Sequence, residues 1–114
     1  MINALFVYGT LAPHQENAHF LNALDGHWQT AFVKGEHFPQ GLPGTEGYPA
    51  LKLGSNSANI QGLIFTSAQL ESIWPVLDAF EGEGYARVLT TAYLQDGRAY
   101  PAYIYAYNDP AYGR

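Results

Sequence analysis

Leu5-Phe6-Val7-Tyr8-Gly9-Thr10-Leu11 is the stretch around which the rest of the chain is organised. Its first four residues are aromatic, β-branched or aliphatic, which is typical of a buried strand, and Gly9 stops the run. We therefore predict a first strand over residues 5–8 that enters a turn. A glycine at this point lets backbone N–H groups turn outward and approach an anionic group closely. An ordinary strand-to-loop turn is the alternative interpretation.

The clearest helix signal follows residue 66. Thr66 and Gln69 have the spacing of a capping box. The apolar residues that come next recur at helical intervals on one face, at Leu70, Ile73, Trp74 and Leu77. Pro75 cannot donate a hydrogen bond to the carbonyl four residues earlier, which predicts a kink or a break into two short helices. The second of these is expected to end near Glu81-Gly82.

A shorter helix is predicted after the first turn. Asn17 is a suitable N-cap, and Gly26 is a suitable end. Between them, Phe20, Leu21 and Leu24 would face the core.

Further strands are predicted at residues 30–34, 50–53, 60–65, 87–94 and 100–107. The Asp96-Gly97 pair predicts a hairpin between the last two. Residues 35–54 carry five glycines and three prolines, so we expect an irregular loop there, and loops of this length are often functional. Five to six strands with two helices indicate an α+β fold, built as a compact sheet or small barrel.

Length and composition restrict the class of protein. A chain of 114 residues is expected to form a single domain over residues 1–114. With 47% hydrophobic and 13% charged residues it is not a disordered chain. The net charge is −5 and no basic stripe is present, which argues against a nucleic-acid partner. The absence of cysteine excludes disulfides, a thiolate nucleophile and Cys-ligated metal.

The start of the chain and its apolar runs bear on localisation. Residues 1–11 lack the pattern of a signal peptide, and no apolar run approaches the roughly 20 residues that span a bilayer. We expect a cytoplasmic protein without a membrane partner. The oligomeric state is left open.

Other kinds of site lack support in the sequence. The four histidines (His14, His19, His27 and His37) do not have the spacing of metal ligands, so we expect solvated or hydrogen-bonded side chains and no metal. Whether His14 or His37 reaches a pocket is open. There is no G-x-S-x-G elbow and no phosphate-loop lysine.

Three ordered segments resemble the gamma-glutamylcyclotransferase-like family, which is also known through plant AIG2-like proteins. They are Phe6-Val7-Tyr8-Gly9-Thr10-Leu11, Leu77-Asp78-Ala79-Phe80-Glu81-Gly82 with Tyr85 and Arg87 following, and Ala102-Tyr103-Ile104-Tyr105. Residues 47–50 and 61–65 look like the family's middle strands, so the resemblance covers nearly the whole chain. It implies a small mixed β-barrel with one or two short helices packed on it.

The resemblance also implies an activity. Family members cyclise a gamma-glutamyl amine or gamma-glutamyl amino acid and release 5-oxoproline, without a cofactor. The substrate's own α-amine attacks its γ-carbonyl, so the protein has to supply orientation and proton transfer. Glu81 matches the family's catalytic glutamate, and its pKa is expected to be raised toward neutrality by burial near Phe80 and Tyr85. The residues implied to bind the substrate are Tyr8, Gly9, Thr10, Leu11, Tyr85 and Tyr105.

Several interpretations stay open at this level. The same pocket would serve a non-catalytic module that binds a small ligand. Tyr103, Tyr105 and Tyr107 should share one face of the last strand, which is either core or pocket lining. Arg87 is expected to have a structural role, paired with Glu81, Glu83 or Asp78, and a buried partner is expected for Asp78. Ala12-Pro13 stands where many relatives have a basic residue, so specificity is not carried over.

Overall fold

A computed structural model of the chain describes residues 2–9, 11–54 and 58–108. Thr10, one of the expected substrate-binding residues, lies outside the described residues. The elements in chain order are β1 (Ala4–Val7), α1 (His19–Asn22), β2 (His27–Phe38), β3 (Ala50–Leu53), β4 (Ala58–Thr66), α2 (Leu70–Glu81), β5 (Tyr85–Leu94) and β6 (Ala99–Tyr107).

Five of the six strands form a closed barrel. The sheet order is β3-β2-β4-β1-β6-β5, and an additional pairing of β2 with β5 joins the two sides. This closure uses Ala31 and Phe32, which face Leu94 and Tyr93. Strand β3 pairs with residues 35–38 of β2. It uses the same edge of β2 that β5 uses at residues 31 and 32. β1 and β6 are parallel and the other pairs are antiparallel. The predicted α+β fold, a small mixed β-barrel with short helices, is confirmed.

Strand β1 lies between β4 and β6 and is buried on both faces. Successive side chains of a strand point to opposite faces. Ala4 and Phe6 belong to the cluster inside the barrel, together with Val33, Ile64 and Ile104. Leu5 and Val7 belong to a second cluster, formed with the helices. Burial on both sides explains why this strand is apolar at every position.

Helix α2 packs on the barrel through Leu70, Trp74 and Leu77, which are its buried residues. The prediction at Pro75 was a kink or a break into two helices, and the break is wrong, because the helix is uninterrupted through Pro75. Pro75 has no N–H to donate to the carbonyl of Glu71, four residues earlier. Both residues are exposed, so water can hydrate that carbonyl from the solvent side. The predicted end is confirmed, because α2 finishes at Glu81.

The predicted capping box of α2 is also wrong. Thr66 is the last residue of β4, and its hydroxyl lies 3.3 Å from the hydroxyl of Tyr100. Gln69 is the N-cap residue but makes no side-chain cap. Its backbone N–H donates to the Ser67 hydroxyl instead.

The region predicted to be one irregular loop is shorter than expected. β2 runs from His27 to Phe38, well beyond the predicted residues 30–34, and β3 occupies the predicted residues 50–53. The irregular part is therefore residues 39–49. Gly35 lies within β2 because β3 passes very close to it, and a Cβ there would be 2.4 Å from the Lys52 carbonyl oxygen. This glycine allows strand packing and does not mark a turn.

The short helix differs from its prediction, whereas the last hairpin agrees with its prediction. α1 covers only four residues, its N-cap is Ala18 rather than Asn17, and it ends before Leu24. Leu21 is buried as predicted, whereas Leu24 is half-buried. The predicted hairpin is confirmed, since β5 and β6 pair in antiparallel fashion and Gly97 between them has φ +88°.

Among the described residues, no helix is both long and apolar enough to span a bilayer.

Candidate active site

A cavity of about 510 Å³ opens where β1 ends. Its walls come from the turn after β1, from the loop before β3 and from the carboxyl end of α2. The residues that line it are Phe6, Val7, Tyr8, Gly9, Leu11, Glu16, Asn17, Gly44, Thr45, Tyr48, Pro49, Phe80, Glu81, Tyr85 and Tyr105. All the expected site residues that the structure describes are therefore brought to one cavity.

Glu81 is the last residue of α2 and is half-buried in the cavity wall. Burial raises the pKa of its carboxyl group from 4.5 to about 7, because desolvation disfavours the charged form. Leu77 lies one helical turn earlier on the same face and is fully buried, so it anchors the last turn to the barrel. The carboxyl group is thus held in place and divided between its two protonation states near neutral pH.

The turn after β1 forms the wall beside this helix end. The Ala12 N–H donates to the Gly9 carbonyl at 3.1 Å, so the chain changes direction after β1. Gly9 faces Pro49, and a Cβ added to it would lie 3.7 Å from the proline ring, an ordinary contact. The protein itself does not require glycine at this position. A requirement for glycine would therefore come from a group bound in the cavity.

Three tyrosines that line the cavity donate hydrogen bonds from their hydroxyl groups to other groups of the protein. Tyr8 donates to the backbone carbonyl of Tyr105. Tyr85 donates to the Pro49 carbonyl at 2.6 Å, and the Tyr105 hydroxyl donates to the Asp78 carboxylate at 2.6 Å. Each hydroxyl oxygen keeps the capacity to accept a hydrogen bond from a ligand. They are suited to meeting a donor such as an ammonium group.

The same tyrosines stay protonated. Burial is the largest cause that raises the pKa of Tyr85 to about 12, with a contribution from the negative charge of Glu81. Burial also raises the pKa of Tyr8 and of Tyr105 above the usual range, and the charge of Glu81 adds to both. Glu81 and these three tyrosines line the same cavity, so its negative charge disfavours ionisation of each phenol.

Arg87 pairs with Asp78, which decides among the three partners considered for it. Its Nε and Nη2 donate to the two carboxylate oxygens at 2.9 and 3.2 Å. The guanidinium lies over the rings of Trp74 and Tyr103, 4.5 and 4.8 Å from their centres. The hydrogen bonds from Arg87 and then from Tyr105 lower the pKa of Asp78. The pair links α2 to the barrel strands, as expected of a structural role.

The buried partner expected for Asp78 is Tyr105, which is 4% exposed and donates its hydroxyl to the carboxylate, whereas the pair with Arg87 is not buried. The Asp78 side chain is 43% exposed. Solvent therefore screens the pair, and geometry matters more here than the charge attraction.

The face shared by Tyr103, Tyr105 and Tyr107 is both core and pocket lining. Tyr103 and Tyr105 pack with α2 and its neighbours, and Tyr105 also lines the cavity. Tyr107 extends beyond the cavity and donates from its hydroxyl to the Pro43 carbonyl at 2.6 Å. The two alternatives therefore apply to different parts of one strand.

The structure adds cavity residues that the sequence did not single out as site residues. Glu16, Asn17 and Phe80 are among them. Thr45 and Tyr48 also line the cavity, within the loop of residues 39–49, where loop length had indicated a function. No local signal marked Glu16 as a site residue, and Asn17 was expected only to cap a helix.

None of the four histidines belongs to the cavity lining. Within the described ranges, no group of three His, Asp or Glu side chains is arranged to hold a metal ion. His37 departs from the expected solvated or hydrogen-bonded state, because its Nε2 is buried and has no hydrogen-bond partner among the residues that the structure describes. Its ring meets the Tyr8 ring edge-on, with the centres 5.7 Å apart. The ring of His37 is therefore placed by aromatic packing against Tyr8.

Together, the fold and the cavity define a small mixed β-barrel protein with a half-buried carboxyl group at the end of a helix. The sequence matches the family model for gamma-glutamyl cyclotransferase, AIG2-like, over residues 5–114, and the chain belongs to this family. No protein of curated function matches the sequence at a significant level.

Solved structures agree with this assignment. YkqA from Bacillus subtilis is 28% identical with a TM-score of 0.72, over 95% of this chain and 36% of YkqA. An AIG2-like protein from Mus musculus is 19% identical with a TM-score of 0.71, over 97% of this chain and 82% of that one. A protein named gamma-glutamyl cyclotransferase is 15% identical with a TM-score of 0.67, over 93% of this chain and 66% of that one. The last two similarities concern the fold.

The raised pKa of Glu81 predicts a pH-dependent gain in stability for Glu81→Gln. The folded state holds the Glu81 proton up to about pH 7, whereas the unfolded chain releases it near pH 4.5. The contribution of Glu81 to the stability of the wild type therefore falls as the pH rises from 4.5 to 7 and is level above that. The neutral Gln lacks this loss, so the variant should be more stable by about 3 kcal/mol at pH 8 and about equal at pH 4.5.

Urea unfolding of both proteins at pH 4.5, 6 and 8 measures this difference. Glu83→Gln is the matched control, since Glu83 is exposed two residues farther on, and its stability should follow the wild type at every pH. A Glu81→Gln variant with a pH-independent difference from the wild type would contradict the burial of the charge.

Proposed function

We propose that the protein is a gamma-glutamylcyclotransferase-type enzyme that cleaves the side-chain amide of a gamma-glutamyl amine or gamma-glutamyl amino acid by cyclisation. The products are 5-oxoproline and the free amine or amino acid. The reaction belongs to the acyltransferase or lyase class and needs neither metal nor cofactor. The observation that carries the proposal is a half-buried glutamate with a pKa of about 7 in a cavity beside the turn after β1.

The chemistry needs one proton carrier. The substrate α-amine attacks the γ-carbonyl carbon and forms a C–N bond, while the bond from that carbon to the leaving nitrogen breaks. The attacking nitrogen loses a proton and the leaving nitrogen gains one, so the reaction balances without water. A carboxylate that accepts the first proton and returns it to the leaving nitrogen serves as base and then as acid. Glu81 is the residue proposed for both steps.

The glutamyl part of the substrate needs binding groups for one carboxylate and one amine. Of the described residues that line the cavity, none is Lys, Arg or His. The α-carboxylate is therefore assigned to backbone N–H groups in the turn after β1, those of Gly9 and Leu11 among them. The hydroxyl oxygens of Tyr8, Tyr85 and Tyr105 are assigned to accept hydrogen bonds from the α-amine. Holding amine and carbonyl together supplies much of the rate enhancement for such an intramolecular attack.

The direct test is to incubate the protein with a panel of gamma-glutamyl amines and gamma-glutamyl amino acids and to measure the released 5-oxoproline by chromatography. Turnover of at least one compound is expected, with kcat/KM rising through pH 7 as Glu81 loses its proton. Thermal stabilisation by these compounds without release of 5-oxoproline at any pH would instead identify a binding module that uses the same cavity.

A further inference from the structure

The mouth of the cavity differs from its floor in exposure. Phe6, Val7 and Leu11 on the floor are buried. At the mouth, Tyr48 is 55% and Phe80 41% exposed. Since Glu81 is half-buried, the glutamyl group must enter the cavity to reach it, and the leaving group then extends toward the mouth.

The mouth also carries negative charge. Glu16 is exposed and belongs to the cavity lining. Glu46 adds a second carboxylate nearby, since its Oε1 accepts a hydrogen bond at 3.0 Å from the N–H of Gly44, a lining residue. No Lys, Arg or His is present among the described lining residues. Lys52 lies instead over the rings of Phe38 and Tyr107, which are not part of the lining.

Aromatic rings at the mouth favour the same kind of ligand. The face of an aromatic ring attracts a cation within about 6 Å. Phe80 is held by Phe20, whose ring centre lies 4.6 Å away, so its position is set before a ligand arrives. A mouth with a carboxylate and two exposed rings is suited to an ammonium group and disfavours a carboxylate.

We propose that Glu16, with the rings of Tyr48 and Phe80, selects substrates whose leaving amine carries a second ammonium group, as a diamine does. The inference rests on the proposed cyclisation and specifies its substrate class. Each exposed charge pair or cation–π contact is modest, and together they should give a preference of about tenfold in kcat/KM.

Three gamma-glutamyl amides with nearly equal chains test the inference: the 4-ammoniobutyl, the n-pentyl and the 4-carboxybutyl amide. The expected order of kcat/KM is ammonium first, then pentyl, then carboxylate. In Glu16→Gln the ratio of ammonium to pentyl should fall about threefold, and Tyr48→Leu should lower it by a similar factor. Glu71→Gln is the matched control, because Glu71 is exposed on α2 outside the cavity, and it should keep the wild-type ratio.

The outcomes separate this inference from the proposed function. Equal kcat/KM for all three amides, or preference for the carboxylate, would overturn the selection of a cation while leaving the cyclisation intact. An unchanged ratio in Glu16→Gln would overturn the role of Glu16. Release of 5-oxoproline from none of the amides would overturn the proposed function, and the inference with it.

Discussion

Glu81→Gln is expected to lower kcat for 5-oxoproline release by about 10²–10⁴-fold, the usual contribution of a positioned general acid–base group. Gln has nearly the same shape and fills the same place at the end of α2, but it cannot take up or return a proton. KM should change much less, because the turn after β1 and the tyrosines remain. Steady-state kinetics from pH 5 to 9 would show both effects. The rise of kcat/KM through pH 7 should disappear from the residual activity.

The variant is a sharp test because instability is not expected to account for the loss. Above pH 7 the Gln side chain is predicted to raise stability, so a folded protein with low activity should result. Glu83→Gln removes a neighbouring exposed carboxylate and should keep wild-type kcat. Full activity in Glu81→Gln would show that another group carries the proton.

Leu77→Ala is expected to lower the free energy of unfolding by about 2–5 kcal/mol, a large part of the stability of a domain this size. Leu77 is fully buried in the cluster between α2 and the barrel, with Val7, Trp74 and Tyr105 among its members. Shortening the side chain removes apolar contacts and leaves a cavity that the rigid strands cannot fill. Urea unfolding at fixed pH measures the loss.

Leu89→Ala is the matched control, since it makes the same chemical change on β5 at a side chain that is 54% exposed. Its effect should stay within about 0.5 kcal/mol. Equal effects for the two variants would contradict the packing of α2 on the barrel.

Local signals were reliable where one segment determines its own conformation. The apolar run that ends at Gly9 predicted β1, and the Asp96-Gly97 pair predicted the last hairpin. The helical periodicity predicted α2 and its end at Glu81, because the spacing of apolar residues along the segment defines which face of the helix is buried. The break considered at Pro75 was wrong, since a locally unfavourable residue is tolerated where packing holds the helix.

Elements that depend on distant partners were predicted less well. The length of β2 depends on three neighbours, β4, β5 and β3, which pair along different parts of it. In the sequence, Gly35 falls within the predicted loop. In the fold, glycine is needed there because the backbone of Lys52 passes very close to it. The partner of Arg87 could not be chosen from three nearby acids, because the choice depends on how α2 lies over β5.

The sequence by itself determined the family and the fold class, since ordered motifs and local periodicity carry them, and the resemblance to the family implied the site residues. Only the tertiary structure decided that Tyr8, Gly9, Leu11, Glu81, Tyr85 and Tyr105 line one cavity together with Glu16 and Tyr48. It also decided the pKa of Glu81, because desolvation depends on atoms that distant segments bring around the carboxyl group. The turn after β1, the loop before β3 and the strands β5 and β6 bring these atoms to the end of α2.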